Sequence, residues 1–203
     1  MRRYRKWLIV ILLVLSPVIV FLGWVAWKVN QPQEDRYFTL AGRQWMVPKT
    51  YLVILDSAKN PGYFETLFEY PDMFPGNPNV FGNDNRISVS VRSRTKAGSV
   101  SQFTFERIKK LPNSVFLGEE NGFDIYRSRF AEYSYKIYWF KQDESEYSMY
   151  VSYVDDPTFL AYTVFRSFED GMRLEYTAQK NRMDDFYQID RKVVERVRSF
   201  IQD

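Results

Sequence analysis

Two patterns of hydrophobic and polar positions divide the chain. From Trp7 to Trp27 no residue carries a charge, whereas from Tyr37 onward apolar and polar residues alternate. As a helix with about 1.5 Å rise per residue the uncharged run is roughly 32 Å long. That length matches a hydrocarbon core of about 30 Å, and it predicts a transmembrane helix bounded by Trp7 and Trp27. Pro17, next to Ser16, predicts a kink of the kind membrane helices tolerate. A cleaved secretory signal is the competing reading. The run is longer than the usual signal core, and Gly23 to Lys28 lacks a small-x-small cleavage pattern, so an uncleaved anchor fits better.

The alternation beyond Tyr37 has the period of half-buried strands. In Arg86–Arg94, Ile87, Val89 and Val91 fall on one face and Ser88, Ser90, Arg92 and Arg94 on the other. Tyr147, Met149, Val151 and Tyr153 repeat the pattern, as do Tyr135, Ile137 and Trp139, residues 162–168, and Met172, Leu174 and Tyr176. Linkers at 142–146 and 169–171 make these runs an antiparallel meander. Another strand, Phe123 to Phe130, follows Asn121-Gly122, a pair suited to a two-residue hairpin turn. Short strands are predicted at 37–40 and 44–47, turning at Ala41-Gly42, and at 51–55.

Helix signals are fewer. Residues 101–111 form one candidate, ending before Pro112. At the C-terminus Phe186, Ile189, Val193, Val197 and Phe200 form an apolar stripe at three- and four-residue spacing, with Asp184 or Asp185 available as a cap. The predicted fold class is therefore α+β: a single N-terminal transmembrane helix, then a mainly antiparallel sheet domain with a C-terminal amphipathic helix packed on it.

Charge orients the anchor. Arg2, Arg3, Arg5 and Lys6 precede it, while Lys28 and Arg36 are the nearby cations after it, so the positive-inside rule places residues 1–6 in the cytoplasm. The expected organisation is a cytoplasmic tag at 1–6, the anchor at 7–27, a polar linker at 28–36, and one domain at 37–203 in the periplasm of a bacterium, tethered to the inner membrane by a single pass. The net charge of +3 comes from the tag: without its four cations, 24 Lys and Arg face 25 Asp and Glu. The outer domain is thus nearly neutral and offers no electrostatic footprint for nucleic acid.

The chain contains neither cysteine nor histidine. Disulfides, thiol catalysis, thiolate or imidazole metal sites and histidine acid–base chemistry are excluded with them. The Ser93-x-x-Lys96 spacing of penicillin-recognising enzymes occurs, but the serine ends a strand and the companion motifs are missing. The acid pairs Glu119-Glu120, Asp155-Asp156 and Asp184-Asp185 sit in turns or at a helix start, where two carboxylates do not flank one bond. Asn83 to Asn85 and Asp143 to Glu146 offer oxygen ligands without calcium-loop spacing. The cations Arg191, Lys192, Arg196 and Arg198 read as a solvated face that complements the helix dipole. No cofactor and no metal is expected, and the chain does not read as an enzyme.

The segment pointing to function is residues 70–85, rich in proline, glycine and asparagine. Long loops without regular structure are uncommon in compact domains and often functional. Tyr70, Met73, Phe74 and Phe81 are the expected partner-binding residues, the last three as apolar anchors. The alternative is a connecting loop whose rings tuck into its own domain.

Residues 42–52, with Pro48 and Tyr51, together with Arg173-Leu-Glu-Tyr176 and Asp190 to Val194 followed by Ser199-Phe200-Ile201, resemble small membrane-anchored periplasmic proteins. Some of these are similar to immunity proteins of type VI secretion effectors. The resemblance covers both ends of the outer domain and transfers no binding residue. It implies a membrane-tethered domain that binds a protein partner, such as a periplasmic toxin or effector, and neutralises it by steric occlusion, with the lipid bilayer as its other contact. Two alternatives stand beside it: a bitopic structural subunit of a cell-envelope complex, and an enzyme using only carboxylate, hydroxyl, lysine or tyrosine groups.

Overall fold

The computed structural model describes residues 34–58, 61–78, 84–94, 99–132, 134–143 and 146–202. The predicted anchor from Trp7 to Trp27 lies outside these residues, as do Phe81 and Lys96. Among the described residues no helix is long and apolar enough to cross a membrane. Asp35 to Asp203 form one compact unit.

The unit contains thirteen described strands: β1 (Arg36–Leu40), β2 (Arg43–Val47), β3 (Val53–Leu55), β4 (Tyr63–Glu69), β5 (Phe74–Pro75), β6 (Arg86–Ser93), β7 (Ser114–Glu120), β8 (Phe123–Arg129), β9 (Tyr135–Asp143), β10 (Glu146–Val154), β11 (Ala161–Phe168), β12 (Met172–Gln179) and β13 (Ile201–Gln202). Helix α1 (Val100–Lys109) lies between β6 and β7, and α2 (Phe186–Arg198) follows a 3-10 turn at Lys180–Asp185. The architecture is α+β, dominated by an antiparallel sheet with two helices packed on it. The main sheet runs β3-β4-β6-β12-β11-β10-β9-β8-β7, with β5 added to β4. β9 to β12 form the expected meander, β8 and the unpredicted β7 extend it, and β12 returns beside β6 (Met172 opposite Ser93). A second, small sheet has the order β1-β2-β13.

Alternation explains why the sheet holds two helices. One face carries Val89, Val91, Tyr162, Val164, Leu174 and Tyr176 into a core shared with Phe38, Trp45 and the α2 stripe Phe186, Ile189, Val193 and Val197. Each buried α2 side chain contributes about 1.5–3 kcal/mol of transfer free energy. On a smaller cluster, Phe105 and Ile108 of α1 pack with Phe140, Tyr147 and Tyr150. The hairpin turns are as expected: Ala41 and Gly42 have φ of +53° and +79°, Asn121 and Gly122 +51° and +77°, the left-handed pair that a two-residue turn of this kind requires.

Several expectations are corrected. Tyr147 does not share a face with Met149 and Val151: the register with β9 shifts between Tyr147 and Met149, so one extra residue turns Tyr147 toward α1. The backbone N–H of Tyr147 donates to Gln102 Oε1 at 3.0 Å and its carbonyl accepts from Ser99 Oγ at 2.5 Å. Ser99 also caps α1 by accepting from the Ser101 N–H, so the first turn of the helix is fastened to the bulge. Asp185 occupies the N-cap position of α2 but makes no side-chain cap bond, because the chain arrives through the 3-10 turn and not from an extended segment. The strand expected from Tyr51 begins at Val53, leaving Tyr51 in the core beside Phe68 and Phe200. The segment after Tyr70 is not structureless: Phe74 and Pro75 add a short strand to β4.

A loop held against the C-terminal helix

β4 ends at Glu69, and the chain reverses through a cis Tyr70-Pro71 bond. The N–H of Tyr70 donates to the Asn85 carbonyl at 2.8 Å, closing the base of the loop. Its half-buried ring lies near two cations, Lys192 Nζ at 5.6 Å and the Arg182 guanidinium at 5.8 Å from the ring centre, within reach of a cation–π attraction. Met73 has φ of +55°, and this left-handed step turns its side chain into the core, where it is 2% exposed. Met73 is thus corrected from an outward anchor to the plug that seats the loop.

Three side chains fix the loop from outside. Tyr51 Oη donates to the Met73 carbonyl at 2.9 Å, Lys192 Nζ to the Pro71 carbonyl at 2.9 Å, and Arg196 reaches the Asp72 carbonyl at 3.5 Å. Burial pushes the Tyr51 phenol up from its ordinary value, while the Arg196 charge pulls the other way, so Tyr51 serves as a neutral donor. After β5, Gly76 donates to the Leu67 carbonyl at 2.9 Å. A Cβ at Gly76 would stand 2.9 Å from Leu67 Cβ, so only glycine lets the segment lie this close to β4.

Between loop and helix is an open cleft of about 330 Å³, lined by Pro71, Asp72, Lys192, Glu195, Arg196 and Ser199 among others. It offers carboxylate, ammonium, guanidinium and hydroxyl groups to a ligand. Beside it Phe74 is 61% exposed, although its immediate neighbour is buried. Of the four expected partner-binding residues, Tyr70 lies half-buried at the base, Met73 in the core and Phe74 at the surface; Phe81 lies outside the described residues. Lys192 and Arg196 do not form a merely solvated face. The residues missed from sequence are Tyr51, Lys192 and Arg196. The helical spacing of Lys192 and Arg196 with Ser199 was legible, but the target of the two cations, more than a hundred positions away, was not, and nothing local tied Tyr51 to the Met73 carbonyl.

The other motifs have local tasks. Ser93 Oγ donates to the Gly62 carbonyl at 3.1 Å. Asp156 accepts from the N–H and hydroxyl of Thr158 at 2.8 and 2.6 Å, which holds its carboxyl below the usual range. Asp185 lies 3.8 Å from Arg182. Among the described residues no group of three or more Asp or Glu can hold a metal ion. The chain has no cysteine, and none of these motifs is assembled into a metal cluster among the described residues.

No family model matches the chain, and no curated protein sequence matches it. Its fold is similar to two solved structures. One is Smlt3025, an immunity protein of the Stenotrophomonas maltophilia type IV secretion system, with a TM-score of 0.59 at 12% identity over 84% of this chain and 94% of that one. The other is FrpD, an iron-regulated outer membrane lipoprotein of Neisseria meningitidis, with a TM-score of 0.56 at 13% identity over 85% and 94%. Similarity at this level of identity is similarity of fold.

Proposed function

We propose that this chain is a membrane-tethered periplasmic protein-binding domain of the immunity type, neutralising a toxin by steric occlusion. Trp7 to Trp27 forms the single-pass inner-membrane anchor, residues 28–36 the tether, and residues 37–203 the binding domain. The partner docks on Phe74, with Tyr70 and the cleft along α2 around it; Phe81, outside the described residues, is the remaining anchor proposed from the sequence. The observation carrying this reading is Phe74 itself: a mostly exposed aromatic ring on a loop held by a buried neighbour and by bonds from Tyr51 and Lys192. Such an anchor loses little entropy on binding, and aromatic anchors dominate interface energetics. Occlusion requires no catalytic group, in keeping with the missing histidine and cysteine. The terminal segments resemble small membrane-anchored periplasmic proteins, some of them similar to type VI immunity proteins, and the similar fold of Smlt3025 belongs to a type IV system; occlusion works alike for either.

The test is purification of the full chain from its native membrane, wild type against Phe74→Ser. A stoichiometric soluble partner, retained by wild type and lost with Phe74→Ser at unchanged thermal stability, supports the reading. Co-purification of membrane subunits, undiminished by Phe74→Ser, overturns it in favour of a structural subunit of an envelope complex.

A further inference from the structure

We infer that β7 forms the interface of a homodimer, pairing edge to edge and antiparallel with the β7 of a second copy of this chain. The strand order ends at β7, so among the described residues no strand takes up the backbone N–H and carbonyl groups along its outer edge. The opposite end of the path is β3, a strand of three residues, too short to template much pairing. β7 has seven.

Exposed edges are normally guarded by charges, prolines or bulges; β7 has a bulge but carries its charges only toward one end. At the middle of β7 stand Val115, Phe116 and Leu117, exposed at 48%, 50% and 50%. The register with β8 shifts between Phe116 and Gly118, so Leu117 has no partner on β8. Across β7 and β8 together the charges sit at the two ends and differ in sign. Glu119 and Glu120 lie at one end, with Asp124 of β8 opposite Glu119; at the other end β8 contributes Arg127, opposite Val115, and Arg129. The Arg127 guanidinium lies 4.8 Å from the ring centre of Tyr135 on β9, and Arg129 donates to the Ala131 and Glu132 carbonyls at 3.4 and 3.0 Å, so both cations are held at this end of β8.

This polarity selects the occupant. An antiparallel pair of identical strands about a two-fold axis near Leu117 sets the basic end of each copy beside the acidic end of the other, twice. A parallel pair sets like charges together. The same geometry covers the apolar centre and completes the ladder on both copies, the energetic logic of strand addition. β7 lies at the far end of the strand order from β4 and its Phe74 arm, so this interface does not depend on the proposed partner site.

The native chain has no cysteine, so single cysteines introduced into the full chain report pairing cleanly in its own membrane. Under mild oxidation Leu117→Cys is expected to give disulfide-linked dimers in several-fold higher yield than Gln188→Cys on the exposed face of α2. Glu119→Arg in the Leu117→Cys background is expected to lower that yield several-fold, and adding Arg127→Glu to restore it. The altered side chains are at the surface, and a thermal melt of each variant reports that the fold is kept. Cross-links no more frequent at Val115→Cys, Phe116→Cys and Leu117→Cys than at Gln188→Cys would overturn the interface. So would cross-links to a different protein, or a charge exchange that restores nothing.

Discussion

Lys192 and Pro71 are 121 positions apart in the chain and are joined by a hydrogen bond of 2.9 Å from the lysine ammonium to the proline carbonyl. The same ammonium lies 5.6 Å from the centre of the Tyr70 ring. Lys192→Met keeps the aliphatic stem and removes both interactions. Because the bond is near the surface, the expected cost is modest, about 0.5–1 kcal/mol. The sharper readout is local: hydrogen exchange at residues 72–74 should quicken while the central strands remain protected. Unchanged exchange there would mean that Tyr51 and Met73 hold the loop without help from α2.

Gly76 tests the loop from its other side. Gly76→Ala places a methyl 2.9 Å from Leu67 Cβ, 3.1 Å from the Leu67 carbonyl carbon and 3.2 Å from the Phe68 carbonyl oxygen. Backbone atoms cannot yield as a flexible side chain end can, so β5 must lift from β4. A loss of about 1–3 kcal/mol is expected by analogy with overpacking, measured by denaturant titration of the full chain in detergent. Partner binding should weaken as well, although Phe74 is untouched.

Tyr162 is fully buried in the main core, and among the described residues its hydroxyl has no hydrogen-bond partner. Burial, with the nearby Asp190 and Asp185 charges, pushes its phenol well above the ordinary range. A buried donor without a partner carries a desolvation cost of about 1–3 kcal/mol. Tyr162→Phe is therefore expected to raise the melting temperature of the full chain, and a fall would reveal a bond that the hydroxyl makes.

Arg166 and Asp190 join β11 to α2, and Tyr176 Oη donates to the same carboxylate at 3.2 Å. Burial nevertheless raises the Asp190 carboxyl above its ordinary value of 3.8, Arg166 pulling in the opposite direction. A carboxyl raised by folding binds its proton more tightly in the folded state. Its contribution to stability is complete below 3.8 and is lost as pH rises through the raised value. Removing one member of a buried pair is usually costly, but the Arg166 side chain is 29% exposed and can rehydrate. Asp190→Asn should thus lie within about 1 kcal/mol of wild type at neutral pH. As the pH falls into the titration window, wild type should gain stability relative to Asp190→Asn. Paired denaturation curves at several pH values check this, because the groups common to both chains cancel in the difference.

Local patterns made a good part of this fold legible. The Val89 and Val91 alternation, the Ala41-Gly42 and Asn121-Gly122 turns and the Phe186 to Val197 stripe involve residues within one or two turns of each other. Backbone geometry converts such spacing directly into strand, hairpin or helix. β4 escaped because its outer face carries Tyr63 and Leu67 while its inner face carries the buried Thr66, which blurs the alternation. β7 escaped because Val115, Phe116 and Leu117 are consecutive apolar residues, and its bulge breaks the period. In the candidate site, composition marked out the 70–85 segment, and Phe74 stands at the surface as an anchor must. Nothing local distinguished Phe74 from Met73.

Spacing along the chain thus decided where strands, turns and the amphipathic helix form, because those depend on periods of two and of three to four residues. Tertiary structure alone decided that β12 lies beside β6, that Tyr147 turns toward α1, and that the loop after Tyr70 is bound to α2. Each is a relation between segments tens of residues apart or more, where alternation specifies which side chains face inward but not which segment they meet. The left-handed step at Met73 is the clearest case: one backbone angle buries Met73 and leaves Phe74 outside, and it is held by Tyr51 and the neighbouring α2 contacts, all made only once the domain has folded.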